Sequence, residues 1–214
     1  EEQVMRKSIF WSSKEEKEEE PQQIEIYSAG PANDDSNVMC EQNRIYFYSE
    51  VERTKNLKLN KFIRNLDLDL VNRTNVLATE EIPPMYLHIQ SYGGCVFSGF
   101  SSIDYIKGTK APICSIVEGC AASAATLMSV VADKRLMTEH AFMLIHQLSG
   151  GVWGTYEDIV DNKKNCARLM KMIKNIYLEH TKIPKSKLNS ILKHDIWFDA
   201  KQCLEYGLVD EIIT

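Results

Sequence analysis

The sequence predicts an α/β protein assembled from repeated strand and helix units. Strand-like runs alternate with segments of helical length through the middle of the chain, as βαβ units require. A Gly-Gly turn at Gly93-Gly94 separates one strand from the helix that follows it. From Tyr156 to about His180, apolar residues recur at three-four spacing opposite a lysine-rich face, which predicts a long amphipathic helix. These observations place the chain among α/β folds.

Each element follows from local signals. Strands are predicted at 44–48, which we expect to be the first of the main sheet, and at 85–90, 111–117, 135–138, 141–146, 195–198 and 208–213. Helices are predicted at 57–75, 96–106, 123–131, 156–180, 184–192 and from Asp199 to Gly207. Pro83-Pro84 ends the first helical region, Asp199 caps the last helix at its start, and Gly207 ends it.

The N-terminal part of the chain differs in composition from the rest. Residues 1–23 are dense in charge and predict a flexible arm, although a segment that folds on a partner is the alternative. Residues 24–214 predict a single domain, which begins with a short strand at Ile24–Tyr27 and a loop at 30–36. We find no internal repeat and no further domain boundary.

Composition excludes several classes of function. The net charge of −5 argues against a nucleic-acid-binding surface. No apolar run is long enough to span a membrane, and the N-terminus lacks the pattern of a signal peptide. The six cysteines form no Cys-x-x-Cys pair and no zinc spacing, which predicts free thiols in a reducing compartment, either cytoplasm or an organelle stroma or matrix.

Ser123 stands out because it lies among small residues just after a predicted strand, in the run from Val117 to Leu127. Small residues at such a junction allow a helix to begin close to the sheet, and a serine there can present its hydroxyl beside free backbone N–H groups. Close packing of a helix on the sheet explains the same residues without any chemistry.

Two further side chains could complete a catalytic triad with Ser123. His146 at a predicted strand end could accept the serine proton, and Asp195 before a short strand could orient the imidazole. The N–H groups of Gly94 and Ala124 are candidates to stabilise an oxyanion. Spacing alone does not single out these residues. His88, inside a predicted strand, is interpreted as a packing residue.

Several motifs together resemble the ClpP caseinolytic peptidase family. Gly119 to Ala125 is similar to its nucleophile motif, Ile145-His146-Gln147 and Asp195 to its base and acid positions, and Ser91-Tyr92-Gly93-Gly94 to its oxyanion turn. The ending from Ala200 to Ile212 is similar to its C-terminal signature. The resemblance covers about residues 43–213.

The resemblance implies a ClpP/crotonase-like fold of repeated β-β-α units, with Tyr156 to His180 as a protruding handle helix. It implies seven-subunit rings of this chain or of related subunits, usually stacked in pairs, that cleave unfolded polypeptides with Ser123, His146 and Asp195. The substrate would pair with a strand at Gly150, Gly151, Val152 and Trp153. An ATP-driven AAA+ unfoldase would feed the chamber, so this chain itself would need no cofactor or metal, and neither nucleic acid nor membrane is an implied partner.

The chain also departs from the family pattern. Tyr92 and Leu148 replace prolines beside the oxyanion turn and the histidine, and Ala124 replaces the usual methionine. Lys193 and His194 stand where the family carries an acidic residue and an arginine that pair between rings. These changes predict a divergent member whose ring contact through Lys193 and His194 differs from the usual one.

Three functions are compatible with these residues. An active serine endopeptidase is the leading interpretation, because all three triad positions are filled. A catalytically silent ring subunit or adaptor in a mixed complex is the alternative. An acyl-CoA-handling crotonase shares the broad fold and an oxyanion turn, but it usually works without a serine nucleophile at this position.

Overall fold

The computed structural model describes residues 37–214. The predicted charged arm, the strand at 24–27 and the loop at 30–36 lie outside the described residues.

One sheet of eight strands organises the described part of the chain. The strands are β1 (Val38–Glu41), β2 (Arg44–Phe47), β3 (Met85–Ser91), β4 (Ile113–Ala122), β5 (Lys134–Thr138), β6 (Phe142–Leu144), β7 (Trp197–Asp199) and β8 (Glu211–Ile213). The main path runs β1-β2-β3-β4-β5-β8, while β6 pairs with β4 and with β7. Only β1 with β2 and β6 with β7 pair antiparallel among the described strands. The predicted α/β architecture is confirmed.

Six helices complete residues 37–214: α1 (Arg53–Leu77), α2 (Val96–Lys107), α3 (Ala124–Val130), α4 (Tyr156–His180), α5 (Lys185–Ile191) and α6 (Ala200–Glu205). Apolar side chains of α1, α2 and α3 share one buried cluster with the central strands, for example Leu59, Ile103 and Leu127. Burial of this surface is the main driving force for the fold. Both α6 and α4 begin with a capping box, in which Asp199 fills the predicted capping role for α6.

Two strand predictions need correction. The strand at Arg44 is not the first of the sheet, because β1 pairs with it as an antiparallel edge strand. The strand predicted to end at Val117 continues to Ala122 as β4. Its first half pairs with β5 and its second half with β6, and the pairing with β3 shifts register between the two halves. Two extra residues, Glu118 and Gly119, bulge there, and this charged residue and glycine interrupt the run of apolar and small residues that indicates a buried strand.

Helix α4 has the predicted bounds and is attached to the rest of the chain near its C-terminal end. Its buried residues are Ile173 and Tyr177, while Ile159 nearer its start is 48% exposed. The apolar face therefore continues beyond the part that packs on this chain, as expected of a protruding helix.

His88 is a buried packing residue, as predicted. Its Nε2 lies 2.9 Å from an Arg44 guanidinium nitrogen, and its Nδ1 lies 2.9 Å from a Glu118 carboxylate oxygen. Arginine can only donate, so Nε2 accepts and the proton sits on Nδ1, which donates to Glu118. The ring of Tyr46 stacks on the imidazole with centroids 4.6 Å apart.

Candidate active site

Ser123 occupies a sharp turn between the end of β4 and the start of α3. Its φ of 53° and ψ of −124° are unusual for a residue with a side chain. Such conformations cost on the order of 1–3 kcal/mol and persist only where surrounding contacts enforce them. The Ser123 N–H donates to the Leu144 carbonyl over 2.8 Å, which ties the turn to β6.

The Gly93 turn packs directly against the backbone of the nucleophile candidate. A β-carbon at Gly93 would lie 2.6 Å from the Ala122 carbonyl oxygen and 2.7 Å from the Ser123 β-carbon. The φ of Gly93 is 92°, which side chains disfavour. Glycine is therefore required here both by conformation and by the closeness of the two backbones.

Gly94 directs its N–H away from the neighbouring strand residue. In its bridge with Val51, the hydrogen bonds are made by the Gly93 carbonyl and the Cys95 N–H, each over 2.7 Å. The Gly94 N–H therefore faces the opposite side, and Gly94 lines the same cavity as Ser123. Ala124, the first residue of α3, also lines this cavity, and its N–H has no acceptor within its own helix. Both predicted oxyanion donors are therefore beside the serine.

The register of β6 and β7 explains why His146 meets Asp195. Leu144 pairs with Trp197 in an antiparallel ladder. In such a ladder, the residue two positions after Leu144 lies opposite the residue two positions before Trp197. These residues are His146 and Asp195. His146 Nδ1 lies 2.9 Å from Asp195 Oδ1. The carboxylate accepts a hydrogen bond from Nδ1–H, and the other ring nitrogen, Nε2, is then the basic nitrogen of the imidazole.

The histidine and the serine line one cavity of about 50 Å³. No hydrogen bond joins the Ser123 hydroxyl to His146 or to another residue within 37–214. The histidine side chain is 21% exposed and the Asp195 side chain 75% exposed. His146 lies two residues beyond β6 rather than inside the strand that the sequence predicts.

The other predicted positions lie outside the cavity. Gly150 to Trp153 form no strand within the single chain, and Trp153 is fully exposed. Lys193 and His194 are exposed just before Asp195. The roles of these residues in substrate pairing and ring contact stay predictions.

Two residues near the serine were not predicted from the sequence. Tyr177 lines the cavity and is 1% exposed, and its hydroxyl lies 2.6 Å from Thr126 Oγ1. Thr126 Oγ1 donates in turn to the Ser123 carbonyl over 2.6 Å. Helical spacing identified Tyr177 only as part of an apolar face, and nothing in the sequence indicated that its hydroxyl would meet a threonine 51 positions away.

Within residues 37–214, no group of three or more His, Cys, Asp or Glu side chains is arranged to hold a metal ion. None of the described helices is both long and apolar enough to cross a membrane. All six cysteines are free, as predicted.

Comparison with known proteins identifies the family of the chain. The family model described as Clp protease matches residues 32–214. The ATP-dependent Clp protease proteolytic subunit 2 of Pseudomonas aeruginosa is 31% identical over 148 residues, which are 68% of this chain and 74% of that protein. The ATP-dependent Clp protease proteolytic subunit of Ostreococcus tauri is 31% identical over 70% of this chain and 78% of its own length. A solved point mutant of ClpP1 from Listeria monocytogenes shares the fold, with a TM-score of 0.68 at 23% identity over 80% of this chain and 91% of that one.

Proposed function

Because the chain belongs to the Clp protease family, we propose that it is an active serine endopeptidase subunit that cleaves unfolded polypeptides into short peptides. Ser123 is the nucleophile, His146 the general base and Asp195 the group that orients the imidazole. One observation carries the proposal: His146 bonds Asp195 through Nδ1 and lines one cavity with Ser123, Gly94 and Ala124.

The chemistry follows from these positions. The Ser123 hydroxyl attacks the peptide carbonyl carbon while its proton passes to His146 Nε2. The negative charge that develops on the carbonyl oxygen is stabilised by the Gly94 and Ala124 N–H groups. His146 returns the proton to the leaving amine as the C–N bond breaks, which leaves an acyl-serine ester. Water, deprotonated by the same imidazole, then hydrolyses the ester and restores the serine hydroxyl.

The same proposal includes assembly into a ring that encloses the sites, as a heptamer or a stacked pair of heptamers, fed by an AAA+ unfoldase. The curated relatives are named as proteolytic subunits of an ATP-dependent protease, which supports a separate ATP-hydrolysing partner. The exposed apolar side chains of Tyr156 and Ile159 at the start of α4 support self-assembly, because apolar surface left uncovered on one chain can be buried against another. Gly150 to Trp153 would pair with substrate backbone in this assembly, and Lys193 and His194 would contact the opposite ring.

Replacement of the serine tests the activity. We expect Ser123→Ala to lower peptide turnover by roughly a thousandfold or more, because the nucleophile is lost. The particle size in sedimentation should not change, because one small hydroxyl in a cavity contributes little to packing. Undiminished turnover in the purified variant would falsify the assignment of Ser123.

A catalytically silent ring subunit is the second candidate. The absence of a hydrogen bond between the Ser123 hydroxyl and His146 in the described structure favours it, although such bonds often form only with substrate bound. A fluorophosphonate probe reacts only with an activated serine. An adduct on Ser123 of the assembled wild-type chain supports the enzyme, and its absence from a fully assembled ring supports the silent subunit.

A further inference from the structure

Two hydroxyl side chains behind the nucleophile form a relay that ends on its backbone. Thr126 Oγ1 donates to the Ser123 carbonyl over 2.6 Å and contacts the Tyr177 hydroxyl over 2.6 Å. A hydroxyl carries a single hydrogen, so Thr126, which gives its own to Ser123, must accept from Tyr177. The direction is therefore fixed as Tyr177 to Thr126 to Ser123.

The relay ends on the same peptide unit that supplies one of the oxyanion donors. The Ser123 carbonyl and the Ala124 N–H belong to one planar trans peptide unit, so they point in opposite directions. Because Thr126 holds the carbonyl on the α3 side, the N–H is directed away from α3 and toward the cavity that Ala124 lines. A hydrogen bond to the carbonyl also polarises the unit and strengthens its N–H as a donor.

The relay is built into the core. Thr126 is fully buried and Tyr177 is 1% exposed, so both hydroxyls are largely shielded from solvent. Burial raises the pKa of the Tyr177 hydroxyl, which keeps its proton available for donation. Without this anchor, two hydrogen bonds would still hold the backbone of Ser123 in its unfavourable φ, the bond to Leu144 and the weaker 3.1 Å bond from the Thr126 N–H.

We propose that Thr126 and Tyr177 are positioning residues, which hold the peptide unit between Ser123 and Ala124 so that its N–H stabilises the oxyanion. The proposal rests on the proposed serine peptidase function. Neither residue touches the reacting atoms; both act through the backbone of the nucleophile.

A set of matched variants tests the relay in the assembled protein with a short fluorogenic peptide and a fluorophosphonate probe. Thr126→Val keeps the shape but removes the hydroxyl, and we expect kcat and the labelling rate of Ser123 to fall about fivefold to tenfold with KM unchanged. Thr126→Ser retains the donor and should stay within about twofold of wild type. Tyr177→Phe removes only the first donor and should lower kcat about threefold.

The double variant separates a relay from ordinary packing. If Tyr177 acts only through Thr126, Tyr177→Phe should add nothing to Thr126→Val, whereas independent packing effects would multiply. Thr74→Val is the control, because Thr74 is another buried threonine whose hydroxyl bonds a backbone carbonyl, that of Leu70 over 2.9 Å. It should lower the melting temperature to a similar extent as Thr126→Val while leaving kcat unchanged.

Contrary outcomes point to different errors. If wild type is labelled and Thr126→Val is labelled at the same rate, the relay is overturned and the proposed function stands. The same conclusion follows if Thr126→Ser loses as much kcat as Thr126→Val. A loss of kcat in the double variant equal to the product of the two single losses would also count against the relay. A wild-type ring without any labelling would overturn both proposals together.

Discussion

At the scale of single residues, the candidate site depends on how closely two backbone turns approach each other. Gly93 lies so near Ser123 that no side chain fits between them. The two turns therefore set each other's position, and the unfavourable conformation of Ser123 is enforced partly from the side of β3. This closeness explains why a glycine, rather than any small residue, stands at position 93.

We expect Gly93→Ala to abolish labelling of Ser123 and to destabilise the fold by roughly 2–4 kcal/mol, because the added methyl meets backbone atoms that cannot yield easily. Gly150→Ala is the matched control for fold stability alone, since a β-carbon there meets nothing within 4 Å. The free energy of unfolding of this control should lie within about 0.5 kcal/mol of the wild-type value. Urea denaturation together with probe labelling measures both effects. A Gly93→Ala chain as stable and reactive as wild type would show that the turn is looser than described.

At the scale of elements, helix α4 is held firmly at one end and only locally at the other. Near its C-terminus, Tyr177 and Ile173 are buried in the core. At its start, Thr155 and Asp158 form a capping box, in which the Asp158 carboxylate accepts from the Thr155 N–H over 2.9 Å and Thr155 Oγ1 accepts from the Asp158 N–H over 3.3 Å. The first turns therefore rely on their cap rather than on tertiary packing within the chain.

Thr155→Ala should consequently loosen the beginning of α4. We expect amide hydrogen exchange over residues 156–164 to quicken about fivefold in the unassembled chain, with exchange near Tyr177 unchanged. Lys164→Ala is the control, because it removes only a surface ion pair with Asp161 and should leave exchange nearly as it was. Equal exchange in Thr155→Ala and wild type would mean that other contacts hold this turn.

Element by element, periodicity predicted most helices well, and the bounds of α4 agree with the expectation. It failed where the chain leaves ideal geometry. The bulge at Glu118 and Gly119 hid the second half of β4, and the bond that Thr126 makes to the Ser123 carbonyl is visible only in three dimensions. The pairing of His146 with Asp195 depends on the register of β6 and β7, which no local pattern in the sequence specifies.

At the scale of the whole molecule, Arg135 joins three distant parts of the chain. From β5 it donates to the carbonyls of His180 and Gly207 and pairs with the Asp210 carboxylate before β8. The Arg135 guanidinium lowers the pKa of Asp210 below its usual range. The Arg135 side chain thus links the end of α4 and the approach to β8 to strand β5.

The lowered pKa gives a signed pH dependence. An acid whose folded pKa lies below its unfolded pKa stabilises the fold above the unfolded value, about 4, and this contribution is lost as pH falls through the folded value. Asp210→Asn should therefore lower the free energy of unfolding by about 1 kcal/mol at pH 7, and by progressively less below pH about 4. Asp69→Asn, which removes a more exposed partner from the helical pair with Arg73, should cost about 0.5 kcal/mol or less at pH 7. A penalty for Asp210→Asn that stays constant down to pH about 2 would contradict this assignment.

The pairing of β6 with β7 has a consequence for the order in which the site is synthesised. Asp195 follows His146 by 49 positions, and β8, which pairs with β5, follows later still. A nascent chain on the ribosome therefore carries Ser123 and His146 before it carries the carboxylate that orients the imidazole. Under the proposed function, the order of the strands alone would delay proteolytic competence until Asp195 has been translated and β7 has paired with β6.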